Sequence, residues 1–296
     1  MAFHSTQSFP DECLPFTTSW SGDVQCWTKY DETIYHIDHV PTASQVLVDS
    51  CVLVLRDWSG FLKLKSEDMD QERKVIREER RVRMNVSKRV KKMAEPYLYN
   101  GSKYAIHDII GTVDVVQNFT PEQLRSYYND FYRPDQQAVM IIGDIDVEQV
   151  ETTVKRLFDP IPKRKNPKPR LVYKIENNDR PLYAKLIDKE ISNNSIQLVK
   201  RIPWVSVNSL EDMLREMLLR DFYNSVMRGL ITEYVEAGES YLLSAGAWIS
   251  NLVRNYDSFN MVLTSLPGKE KEALQQMLDK MSMCIVLDLQ MKSCNL

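Results

Sequence analysis

Glu72-Arg-Lys-Val-Ile-Arg-Glu-Glu79 lies inside a long polar run that Ser66 caps. The run reads as one helix to about Glu95, where Pro96 should stop it. At helical spacing Glu72, Val75, Ile76, Glu79, Val82, Val86 and Val90 share one face. An apolar stripe of that kind predicts burial, yet it carries two carboxylates. A buried carboxylate is costly unless a cation, a metal or a donor group meets it. The spacing leaves three answers open: an arginine from elsewhere, a stripe end that reaches solvent, or a metal ion.

The segments on either side mix helices and strands. Thr42-x-x-Gln45 reads as a capping box opening a helix that is apolar nearly all round and ends at Trp58-Ser59-Gly60. Thr120-Pro121-Glu122-Gln123 opens a helix that ends before Arg133-Pro134, and Asp146-x-x-Gln149 opens another to about Phe158. Strands are predicted at Gln137–Ile142, Leu171–Ile175, Leu182–Ile187, Ile196–Ile202, Tyr241–Val253 and Phe259–Leu266. Helices are predicted from about Ser209 to Glu236 and over Lys269–Met281. Residues 160–170 (PIPKRKNPKPR) contain four prolines and five basic residues, which suits an extended linker better than a core. The expected organisation is a first domain over 1–160, a linker over 161–170 and a second domain over 171–296. The expected fold class is α+β, with two-layer domains of mainly antiparallel sheet packed with helices.

Composition narrows the function. Hydrophobic residues make up 43% and charged residues 27%, with 9 glycines, which describes folded globular material. A formal charge of −3 gives no global basic field for nucleic acid. The basic run Arg73–Lys92 has little beyond charge to suggest such a partner. No apolar stretch is long enough to span a membrane, and no signal-peptide pattern is visible. The 5 cysteines are odd in number and form no C-x-x-C pair. His36 and His39 read as hydrogen-bonded imidazoles rather than as metal ligands.

Several motifs, in order, resemble the insulinase/pitrilysin family of zinc metallopeptidases. Met1-Ala-Phe-His-Ser-Thr-Gln-Ser-Phe-Pro10 is similar to the stretch that follows that family's His-x-x-Glu-His motif. Asp31-Glu-Thr-Ile-Tyr35, Asp57-Trp-Ser-Gly60, Glu72–Glu79, Ile110-Gly-Thr, Tyr132-Arg-Pro134, Val139–Asp146 and Leu243-Ser-Ala-Gly246 match in the same order. The resemblance implies zinc at a site where two histidines and a general-base glutamate come from the motif. Glu79 would complete the metal site, and Glu72 would support it by orienting a ligand. Gln25, Cys26, Trp27 and Thr28 would form the edge strand to which a peptide substrate adds. The motif itself is not in this chain, so no catalytic residue is assigned and the chain is expected to bind no zinc alone. The stretch from Asp11 to Cys26, with Gln25-Cys-Trp-Thr28 where the family has Asn-Ala-Tyr-Thr, and the tail Ser282–Leu296 depart from the family pattern, and the expected reading is a gene fragment. Implied partners are peptides and a second peptidase half or active subunit. The alternative is a non-catalytic subunit that binds peptides without cutting them. The resemblance allows the bacterial periplasm or cell envelope as a location if a signal lies upstream.

Overall fold

Thr6 and Ser8 are tied to a carboxylate some fifty residues away. The computed structural model describes residues 6–9, 23–204, 209–238 and 240–293. The irregular stretch Asp11–Gly22 and the last residues of the tail lie outside the described residues. Asp57 is fully buried (0% exposed) near the end of helix α1 (Gln45–Gly60). It accepts hydrogen bonds from Thr6 Oγ1 (2.7 Å), Ser8 N (2.8 Å) and Arg56 Nη1 (2.6 Å). Four donor atoms in all, with Ser8 Oγ at 3.3 Å, replace the water that this carboxylate has lost. Gln7 N adds a bond to Phe61 O (3.1 Å), so residues 6–9 lie along the end of α1.

The chain divides into two compact units, 1–88 with 95–182, and 89–94 with 183–296. In the first unit a hairpin of β1 (Val24–Thr28) and β2 (Thr33–Ile37) packs on α1, burying Val24, Val54 and Trp58 together. Helix α2 (Ser66–Arg83) follows and stops at Met84. Asn85 starts α3 (Val86–Leu98) by accepting from Lys88 N (3.0 Å), which breaks the single helix expected from the sequence. Pro96 lies inside the last turn of α3 instead of ending it one residue earlier. Helices α4 (Val113–Asn118), α5 (Pro121–Phe131) and α6 (Val147–Phe158) complete the unit. Thr120 and Gln123 form the expected capping box, and Asp146 accepts from Gln149 N. Helix α1 begins instead from Ser44, with no side-chain cap bond, and Val46 on it is exposed.

In the second unit β3 (Ser195–Pro203), β4 (Leu242–Val253) and β5 (Tyr256–Ser265) form an antiparallel sheet in the order β3-β5-β4. Helices α7 (Leu210–Glu236) and α8 (Glu270–Ser293) cover one face and bury Met227, Ile231, Met261, Leu263 and Met277. Asn224 on α7 fixes the layer by exchanging two hydrogen bonds with the Ile249 backbone, at 2.9 and 2.8 Å. This is the α+β architecture expected, with antiparallel pairing throughout the described strands.

Three expected strands did not form. Residues 137–142, 171–175 and 182–187 carry no ladder pairing, although Ile142 is 88% exposed. An extended segment becomes a strand only when a neighbouring strand takes its N–H and C=O groups in a ladder, and no ladder among the described residues includes these segments.

The proline-rich segment is tied to the first unit. Ile161 is buried against Gly60, Arg164 donates to Asn129 O (2.7 Å), and Lys168 pairs with Asp130 (2.6 Å). Residues 177–194 are mostly exposed and contain no regular element. Limited trypsinolysis should therefore cut first at Arg180 or Lys185; initial cutting between Lys163 and Arg170 would place the linker where composition alone puts it. Replacing Asp57 with Ala should lower unfolding stability by about 3 kcal/mol, because it strands the buried donors. Urea titration checks this.

Candidate functional site

The hairpin turn sets which backbone groups are free. Lys29 N bonds Glu32 O (2.9 Å) and Asp38 N bonds Asp23 O (2.7 Å), framing the ladder Gln25↔His36 and Trp27↔Ile34. Hydrogen-bonded pairs recur at every second residue of an antiparallel ladder. Residues 25 and 27 therefore direct their N–H and C=O groups to β2. Val24, Cys26 and Thr28 direct theirs the other way, to an edge that no described strand pairs. All four residues expected to dock substrate, Gln25, Cys26, Trp27 and Thr28, lie on this edge strand.

Its two faces differ. On one face Val24 enters the core, and Cys26 lies opposite Tyr35, whose hydroxyl is 2.6 Å from that of Tyr132. On the other face the Trp27 ring lies 4.5 Å from the His36 ring. Burial raises the Cys26 thiol pKa, and the charges of Glu79 and Glu72 raise it further. Of the β1 residues, Cys26 is the one whose thiol the charges of both α2 glutamates affect.

The face of α2 that carries them is only partly covered. Val75 is 57% and Val82 65% exposed, so the expected burial fails at these two positions, while Glu72, Ile76, Glu79, Val86 and Val90 are half-buried. Glu72 is partly buried, and Glu79 holds Arg83 one turn on at 2.8 Å. Arginines one position after each glutamate, about 100° round the helix, anchor it on an adjacent face. Arg73 donates to Val116 O (2.5 Å) and Phe119 O (2.9 Å) and covers the Phe119 ring. Arg80 donates to Asp108 (2.7 Å) and Gly111 O (2.7 Å). The sequence reading missed this role, although the repeated Glu-Arg pairs seven residues apart were its visible signal.

Among the described residues no three His, Cys, Asp or Glu side chains gather to hold a metal ion. His36 pairs with Asp38 (2.7 Å) and His39 with Asp23 (3.0 Å). The described residues do not by themselves bring together the three or so protein ligands that a zinc ion needs.

Comparison with known proteins places the chain. The family model described as insulinase (peptidase family M16) matches residues 1–107, and that of the peptidase M16 inactive domain matches residues 118–290. The chain belongs to the insulinase family. It is 28% identical to the probable zinc protease PqqL of Escherichia coli over 83% of its length, and 23% identical to PqqL of Haemophilus influenzae over 91%. It spans 27% and 28% of those two relatives. The solved first half of the E. coli periplasmic protease PqqL superposes with a TM-score of 0.76 at 23% identity. That match covers 95% of this chain and 60% of the other, and it confirms the α+β fold.

The closeness of Cys26 to both glutamates is directly measurable. Glu79→Gln removes a negative charge and should lower the thiol pKa, so Cys26 should alkylate faster with iodoacetamide at pH 8. Peptide-mapped mass spectrometry reads the rate; an unchanged rate would separate β1 from α2.

Proposed function

We propose that this chain carries the peptide-docking edge and one carboxylate ligand of an insulinase-family zinc endopeptidase site, and that alone it neither holds zinc nor cleaves peptides. The observation that carries this reading is the edge of β1, which no described strand pairs, in the same unit as the helix that bears Glu72 and Glu79. An extended peptide adds to the free N–H and C=O groups of Val24, Cys26 and Thr28. Glu79, once it leaves Arg83, offers a carboxylate oxygen, and Glu72 orients a neighbouring ligand. A zinc ion held there with the family's other ligands would supply the Lewis acidity that activates water for peptide hydrolysis. In the family the other ligands and the general base come from a His-x-x-Glu-His helix, a motif these 296 residues do not contain.

A second reading is a subunit that encloses peptides for an active partner; the edge of β1 that no described strand pairs supports it equally. The E. coli relative is a periplasmic protease, which supports a periplasmic location for this chain. Arg73 and Arg80 face carbonyls, and Arg89 pairs with Asp188 (2.6 Å) and Glu190 (2.9 Å), which leaves the basic run little charge for nucleic acid. No described helix is long and apolar enough to cross a membrane.

Metal content tests the proposal. Dialysed at micromolar free zinc, the chain should hold far less than one equivalent. Extended upstream with the family's motif helix, it should hold about one. In that protein Glu79→Gln should lose the metal, whereas Glu72→Gln should keep it and lower turnover by about 10–100-fold. The reverse pattern would sink the assignment of α2. Activity with the motif helix alone favours the enzyme reading; activity only with an added partner favours the subunit.

A further inference from the structure

Trp27 is 44% exposed on the face of β1 turned away from Cys26. Its ring leans on His36 at 57°, and Asp38 holds the imidazole through Nδ1 (2.7 Å). The indole is thus braced before any ligand arrives, so little side-chain freedom remains to be lost on contact. Backbone parity adds a second constraint. Trp27 directs its N–H and C=O groups to β2, so a strand added at the open edge meets it at a non-hydrogen-bonded position. Cα atoms across such a pair lie about 4.5 Å apart, the closer of the two antiparallel spacings, where aromatic side chains touch best. Opposed residues in an antiparallel pair share a face, so the incoming side chain falls on the indole.

We infer that Trp27, braced by His36, is a specificity-determining residue that selects peptides with an aromatic side chain at the position opposite it. The inference rests on peptide addition at β1 and needs no metal. The adjacent peptide residues fall on the other face, beside Cys26, and are not read by the indole. Selection therefore has a period of two along the peptide.

The chain as it stands is the test object. A fluorescent octapeptide of alternating Val and Thr serves as the parent, with one Phe scanned through its positions and binding followed by anisotropy. Phe should tighten binding by about 3–10-fold at alternate positions only. Trp27→Ala should erase that ratio, and Trp27→Phe should retain it, which separates a lost aromatic contact from a disturbed hairpin. His36→Gln should reduce the ratio with the hairpin intact. A gain at every position, or one that survives Trp27→Ala, overturns the inference and leaves peptide addition standing. Absence of saturable binding by every peptide overturns both.

Discussion

A single buried carboxylate fixes where the N-terminal stretch meets the first unit. Asp57 is fully buried and satisfies its charge through donors from Thr6, Ser8 and Arg56. Hydrogen bonds to an ionised group are stronger and more directional than neutral ones. Residues 6–9 therefore cannot slide along α1 without stranding that charge. The same helix turn supplies Trp58, whose ring packs on Tyr35 of β2 and whose carbonyl accepts from Tyr128. One turn of α1 thus joins the N-terminal stretch, the hairpin and α5.

Helix α2 shows the complementary device. Its glutamates and arginines alternate in role: Arg73 and Arg80 face carbonyls from α4 and its approach, leaving Glu72 and Glu79 on the partly covered side. A guanidinium can satisfy two carbonyls at once because its donors are fixed in a plane. Such anchoring fixes the helix rotation without occupying the face that carries the acids.

Local signals made much of this fold legible. Thr120 and Gln123, Asp146 and Ser209 each cap a helix where the sequence places one, because a cap depends on residues three apart. Asn85 carries the same chemistry but sits inside a polar run, where it passed as one more helical residue. Strands fared worse. Ile142 and Tyr183 lie in apolar stretches like those of β3, yet only β3 has a neighbour, β5. Pairing is decided by distant chain, so periodicity cannot report it. The site was legible in part: Glu72 and Glu79 stand out by spacing, but their chemistry came from resemblance, and the carbonyls that meet Arg73 and Arg80 lie about 30–45 residues away.

The open edge of β1 and the partly covered face of α2 belong to one argument. Exposed strand edges and apolar helix faces invite association, and stable proteins cover or blunt them. Here β1 is five residues long, and α2 breaks its apolar stripe with Glu79 and Arg83. Short length limits what can pair with β1 to a brief extended segment, and the charges on α2 oppose burial by a purely apolar partner. A peptide strand on one surface and a polar, ligand-bearing element on the other satisfy both constraints. Their meeting point is Cys26, the residue of β1 that feels both glutamates. A larger thiol adduct there should hinder peptide addition more than one at Cys51, which lies buried in α1.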